Sequence, residues 1–467
     1  MIRDDQKQLW ILFLILLVSR IPFLFYGYGS EEDAWAIPLV AERIGTTGVY
    51  EVFRLPGHPF QELFYSMIWN CSPVIFNFVT ALLSSAGIVF FAAALKKLHL
   101  RNWVFAAAGL AFTPIIYINS CNAMDYTWAL AFMLIAFYCV IQQQGLLAGL
   151  FIAFAVGCRI TSGAVLFPYA LLLWHCASPD KRIKSILQIS AATFIGSLII
   201  YIPVIRLYGL SFFTYYEHFP IPGFAKNFYK GTLAVWGLPG CLALLITTGW
   251  ILKKRAIVSP VFLKGKDISK ILLIVAVISA ALFTLSFAKV PLKAAFMVPV
   301  IPFIWIILSL LTEVRIYRAL VLVVFISCFI FGVNLSDPLR GSKESNFTLH
   351  TTVSGQIIAF DPLSGPFVAD ITKREQRTAF AKSVVKDLLN IHEKTFIIAG
   401  WWLSDLLVLQ RGKENEKILL RYYTDEAELK WYLQNGYKIF YLPEQEKYND
   451  LRFKKTFTTK YAAAFQL

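Results

Sequence analysis

Three carboxylates in a row, Glu31, Glu32 and Asp33, follow directly on the first long apolar run of the chain. At the headgroup level of a membrane, a carboxylate can take the proton of an attacking hydroxyl, the task of a general base. The alternative for such a cluster is a solvated helix start, where acidic side chains complement the helix dipole. Asp125, in CNAMDYTWALAF, stands just ahead of another apolar run and reads equally well as a helix cap. The cations available to answer a phosphate are Arg54, His58, Arg159, Lys289 and Lys293. A phosphate headgroup needs such partners, and an arginine can hold two of its oxygens at once. Against this stands ordinary anchoring of Lys and Arg at the membrane boundary. Arg159 lies between two apolar runs in GLFIAFAVGCRITSGAVLFP, at a depth where a charge is costly and usually functional unless it snorkels outward.

The elements that must position these groups are membrane helices. Of 467 residues, 57% are hydrophobic and 16% charged, against about 25% charged in soluble domains. The apolar residues fall in runs of roughly twenty, the length that crosses a hydrocarbon core about 30 Å thick as a helix. About eleven spans are expected, over 9–26, 73–95, 103–118, 126–141, 146–158, 162–176, 186–205, 233–252, 271–287, 295–311 and 317–333. The first run lacks a small-residue cleavage site and reads as a retained helix, not a signal peptide. The net charge of +15 is topological, because Lys and Arg crowd the short loops that an N-in orientation places in the cytoplasm. No interleaved aromatic and basic pattern marks a nucleic-acid surface, so nucleic acid is not an expected partner. The seven cysteines show no CxxC spacing, which argues against a metal knuckle or a disulfide framework.

Two segments on the side opposite the basic loops, 27–72 and 208–231, are too long to be simple connectors. Within the first, DAWAIPLVAERIGTTG spaces Trp35, Leu39 and Ile44 as an amphipathic helix lying along the membrane surface. Residues 1–334 are the expected transmembrane domain. From 335 to 467 the composition turns polar, and TFIIAG, KILLRYY and YKIFYLP read as strands between the helical segments WWLSDLLVLQ and DEAELKWYLQNG. The expected fold is an all-α polytopic membrane protein with a small C-terminal α/β domain on the extracytoplasmic side.

The string SEEDAWAIPLVAERIGTTGVYEVFRLPGHPFQELFYSMIW resembles the first outer loop of the GT-C glycosyltransferases, the superfamily that contains protein O-mannosyltransferases and aminoarabinose transferases (glycosyltransferase family 39-like). Asp33-Ala34-Trp35, Ala41, Gly48-Val49-Tyr50 and Pro56-Gly57-His58-Pro59 occupy that loop's acidic start, amphipathic helix, Gly-Tyr pair and Pro-rich turn. Aligned through Ala41, Asp33 matches the catalytic acid of the family. Asp125 falls where relatives often carry a second acidic residue, Arg159 where they often carry Lys or Arg, and FAKVPLKAAFMVPVIPFIW with Lys289 and Lys293 looks like their basic, Pro-spaced entry to a late span. The resemblance covers about the first 310 residues. It departs from the family where the usual Asp-Glu pair is Glu-Glu-Asp and where a KPP-like turn is PGHP, so the base stays open among Glu31, Glu32 and Asp33.

What the resemblance implies is an inverting membrane glycosyltransferase. It would move a sugar from a polyprenyl-phosphate donor to a hydroxyl of a lipid, glycan or protein acceptor at the outer face of the plasma (inner) membrane. No motif calls for a cofactor, and a divalent metal is left open. A lipid-linked saccharide transporter or flippase would use the same charges to line a path. A flippase, however, should carry polar groups at mid-depth in several spans, whereas the ionisable residues here crowd the span ends. A scaffold whose outer domain binds a partner would not need the long acidic first loop.

Overall fold

The computed structural model describes residues 2–218, 221–254, 267–336, 347–353, 356–422 and 424–442. In chain order its membrane part holds α1 (Ile2–Arg20), α2 (Glu32–Thr47), α3 (Pro59–Ser66), α4 (Pro73–Lys97), α5 (Trp103–Ala111), α6 (Pro114–Asn119), α7 (Tyr126–Ile141) and α8 (Gly145–Cys158). There follow α9 (Leu166–Cys176), α10 (Arg182–Tyr208), α11 (Phe224–Gly231), α12 (Leu233–Lys253), α13 (Asp267–Lys289), α14 (Ile301–Leu311) and α15 (Val314–Ser327). Among the described residues, six helical stretches are long and apolar enough to cross a membrane, namely Gln6–Phe23, Pro73–Lys97, Arg182–Tyr208, Leu233–Lys253, Ile268–Lys289 and Ala294–Leu311. The chain is therefore an integral membrane protein.

The other expected spans are helical but shorter, and two have visible causes. Run 103–118 breaks between α5 and α6, because Pro114 cannot donate to the preceding turn. Thr113 closes that break, its hydroxyl donating to Gly109 O at 2.7 Å and accepting from Trp305 Nε1 at 3.1 Å. Run 317–333 holds only the 14-residue α15. Its end becomes strand β1 (Gly332–Ser336), so the boundary expected at 334/335 falls inside a strand.

α7 is the centre of the bundle. Its sequence is apolar all round, as a helix buried on every side requires, and among its residues Tyr138 alone is not buried. α8 lies against α7 on one side and α10 on the other. The α8–α10 approach is close because Gly145 and Gly149 sit one turn apart, where a Cβ would stand 2.5 Å from Ser185 O and Ile189 O respectively. Small residues at this spacing are how membrane helices bring their backbones together.

The C-terminal part opens with β1, β2 (Leu349–Val353) and β3 (Gln356–Asp361), an antiparallel sheet in the order β1-β3-β2. Next come α16 (Pro366–Leu388), β4 (Thr395–Ile398), α17 (Leu403–Gln410), β5 (Ile418–Arg421), α18 (Glu426–Gln434) and β6 (Lys438–Tyr441). The last three strands form a parallel sheet, β5-β4-β6. All three expected strands and both helices are present, and Asp425 caps α18 by accepting from Glu428 N at 2.7 Å. The first sheet and the 23-residue α16 were not legible.

α16 is planted in the membrane domain. Arg374, fully buried, donates to Cys121 O at 2.7 Å and Ile118 O at 3.1 Å and pairs with Asp370 at 2.6 Å. Asp370 also accepts from Ser30 at 2.6 Å. Phe367 packs on Phe23 and Tyr117, with ring centres 4.6 and 4.4 Å away. α17 then lies on α2, and Arg411 pairs with Glu42 at 2.6 Å. α2, expected to rest on the membrane surface, is thus covered by protein, with Ala34, Trp35, Ile37, Pro38, Val40, Ala41 and Ile44 buried.

Candidate functional site

The first loop is fixed at both ends before it presents a charge. Asn77 of α4 donates to Leu24 O at 2.9 Å and Gly27 O at 2.7 Å, and Trp35 Nε1 donates to Gly29 O at 3.0 Å. α2 begins at Glu32 after an extended Glu31, so the three carboxylates fan out from a helix start. Its far end closes on Gly48, whose φ of 70° is the left-handed conformation that glycine adopts without strain. The returning segment is gathered on buried Glu62 of α3, which accepts from Tyr50 OH and from the Phe53 and His58 amides, both at 3.2 Å. Burial pushes the Glu62 carboxyl up to about 7, although these three donors pull the other way.

Two ion clusters result. In the first, Lys293 Nζ stands 2.5 Å from both Glu31 Oε2 and Asp33 Oδ2, and Arg54 donates to the same Asp33 oxygen. Burial would raise the Asp33 carboxyl, but Arg54 and Lys293 outweigh it and hold the group well below the usual carboxylate range. For Lys293, burial is outweighed by Asp33 and Glu31, and its ammonium is held above the ordinary lysine value. In the second cluster, Arg159 donates to buried Asp125 at 2.6 Å, with its guanidinium 4.5 Å from the Tyr126 ring centre and 4.7 Å from that of Phe296. An arginine between aromatic faces is held by ring quadrupoles as well as by its counter-ion.

His58 joins the second cluster. Its Nδ1 faces Cys158 O and lies 3.5 Å from Asp125 Oδ2, while Phe53 stacks on the ring with centres 4.8 Å apart. Burial depresses the imidazole to about 4, so at neutral pH the ring is uncharged. With Nδ1–H given to a carbonyl, Nε2 is left as an acceptor. His58 Nε2, Asp125 Oδ1 and Tyr126 OH are buried with no hydrogen-bond partner among the described residues. Buried polar atoms of this kind call for a donor or acceptor from outside the fold. Arg54 bridges the two clusters, its charge acting on both Asp33 and Asp125.

The structure therefore brings together Glu31, Asp33, Arg54 and Lys293, and beside them His58, Asp125 and Arg159. Lys289 stands apart, exposed at the end of α13. Glu32 has a different partner, its Oε2 accepting from Tyr422 OH of the C-terminal part at 3.0 Å. Burial pushes its carboxyl up to about 7, against the Tyr422 hydrogen bond. Among the described residues no three His, Cys, Asp or Glu side chains form a metal-holding group.

Sequence reasoning missed three contributors. Glu62 carried a weak signal, a single acid within the short apolar-rich run FQELFY. Lys230 lies in the second long connecting segment, on α11, with Nζ donating to Leu292 O beside Lys293. Burial and the neighbouring Lys226 lower its ammonium to about 8. Tyr422 carried no signal at all. Comparison with protein-family models, curated proteins and solved structures finds no match to this chain.

Proposed function

We propose that the chain is a membrane glycosyltransferase that moves a sugar from a polyprenyl-phosphate donor to an acceptor hydroxyl at the outer face of the membrane. The observation that carries the reading is the cation pair Arg54 and Lys293, held by first-loop carboxylates at the end of a helical bundle. A donor phosphate arriving there competes with Glu31 and Asp33 for the same cations, which fix its oxygens by charge-assisted hydrogen bonds. The acceptor oxygen then attacks the anomeric carbon, the sugar–phosphate C–O bond breaks, and its electron pair leaves on the phosphate. The acceptor proton passes to a first-loop carboxylate. Arg159 and the unpartnered Asp125, His58 and Tyr126 atoms supply polar contacts for the sugar beside the phosphate.

Purified protein incubated with radiolabelled polyprenyl-phosphate sugars is expected to transfer label from at least one donor to water or to an added acceptor. Lys293→Ala should raise the donor KM by about tenfold or more, the value of a charge-assisted contact. Translocation of an intact donor across vesicles without cleavage would replace this reading with a flippase.

A further inference from the structure

We propose that the C-terminal α/β unit completes the acceptor side of the site, with Glu32 as the proton acceptor and Tyr422 as its positioning residue. The inference rests on the transferase reading above. Its starting point is the division of labour at the start of α2. Asp33 is occupied by two cations, whereas Glu32, just before it in the chain, meets among the described residues a single neutral donor, the Tyr422 hydroxyl at 3.0 Å. A carboxylate already bound to Arg and Lys is a poor base, because its proton affinity has been spent on fixed charges.

Tyr422 is delivered by the sheet. It directly follows β5, whose parallel pairing with β4 runs from Thr395 and Ile418 to Ile398 and Arg421. The segment after β4 carries Trp401, with its ring centre 5.9 Å from that of Tyr422 and edge-on to it. Both aromatic residues thus leave the carboxyl ends of parallel strands, where α/β sheets form their ligand crevices. Arg377 of α16 locks this edge, donating to Trp401 O at 2.7 Å and to both oxygens of Asp405 at 2.7 and 2.6 Å.

The charged groups facing Glu32 are thereby accounted for. From the C-terminal unit they are Arg377 and Asp405, which neutralise each other, and from its own helix Asp33, neutralised by Arg54 and Lys293. Burial raises the proton affinity of Glu32, and the Tyr422 hydroxyl is the group that orients it. Its hydrogen bond favours the charged carboxylate. An acceptor that lies along Trp401 and Tyr422 brings its hydroxyl to Glu32, one residue before the Asp33 that holds the donor cations.

Tyr422→Phe keeps the ring and removes the donor. In an active preparation, kcat should fall about tenfold, with the donor KM within twofold of the parent. The acidic limb of kcat/KM, expected near pH 7 in the parent where burial pushes the Glu32 carboxyl, should move up by about half a unit to one unit, the size of one neutral hydrogen bond. In a Glu32→Gln background the same change should have no further effect on kcat, while a purely structural role would cost the same in both backgrounds. Equal thermal unfolding of parent and Tyr422→Phe excludes misfolding as the cause. An unchanged kcat and an unmoved limb in active Tyr422→Phe overturn the role of Tyr422 and leave the transferase reading standing. A parent chain that transfers sugar from no donor overturns the transferase reading itself.

Discussion

At the scale of the residue, the adjacent carboxylates Glu32 and Asp33 have been given opposite environments, and this separates their chemistry. Asp33 is 20% exposed and bound to Arg54 and Lys293, so it remains ionised and balances the two cations. Glu32 titrates near neutral pH, where a base is most effective. Glu32→Gln should therefore cut turnover by about 10² to 10⁴ with little change in donor affinity. Asp33→Asn should alter chiefly donor affinity and its salt dependence, because two cations lose a counter-charge. Steady-state kinetics of both variants decide the matter. Loss of turnover in Asp33→Asn with a silent Glu32→Gln would return the base to the residue that the family resemblance selects. Which side chains come together was largely legible from residue type and order, Lys289 apart. Which cation meets which acid was not, since Lys293 reaches Glu31 across 262 positions and Arg159 reaches Asp125 across 34.

At the scale of the element, the second ion cluster depends on how closely two membrane helices approach. α8 ends at Cys158, whose carbonyl holds His58, and Arg159 follows it directly. The height and angle of α8 are set by its glycine contacts with α10, so a side chain placed there should be felt at the site. Gly149→Leu would drive its Cβ against Ile189 O at 2.5 Å and Ala192 Cβ at 2.7 Å. The expected loss is about 1–3 kcal/mol of stability, read as a lower unfolding temperature in detergent, with weaker donor binding alongside. Gly249→Ala on α12 meets nothing within 4 Å and should leave both unchanged. Apolar run length predicts where such helices are, and α7 is the clearest case. It does not predict that Pro114 splits a run or that run 317–333 ends as a strand, because both depend on where the chain next finds hydrogen-bond partners.

At the scale of the whole molecule, the C-terminal part shares one end of the bundle with the first loop, joined to it through Arg374, Asp370, Arg411 and Tyr422. Exposed Val49 and Lys413 should therefore lie on one side of the membrane and Arg101, at the tip of a basic loop, on the other. Val49→Cys and Lys413→Cys should react with an impermeant maleimide added to intact spheroplasts, and Arg101→Cys only after lysis, each read against the parent chain. Labelling of Val49→Cys and Lys413→Cys from opposite faces would break the proposed arrangement. The three parallel strands of the C-terminal unit were legible from their β-branched and aromatic runs, and the antiparallel sheet before them was not. Its docking was not, because a lone buried arginine within a polar helix leaves no periodic trace. That arginine also orders events in time. The carbonyls of Ile118 and Cys121 are synthesised 256 and 253 positions before Arg374, an interval of roughly ten to fifty seconds at ordinary translation rates. Throughout that interval the Arg374 donors are absent from the end of α6. A chain interrupted before α16 lacks those two bonds, so an unfinished copy differs from a finished one beside the first loop.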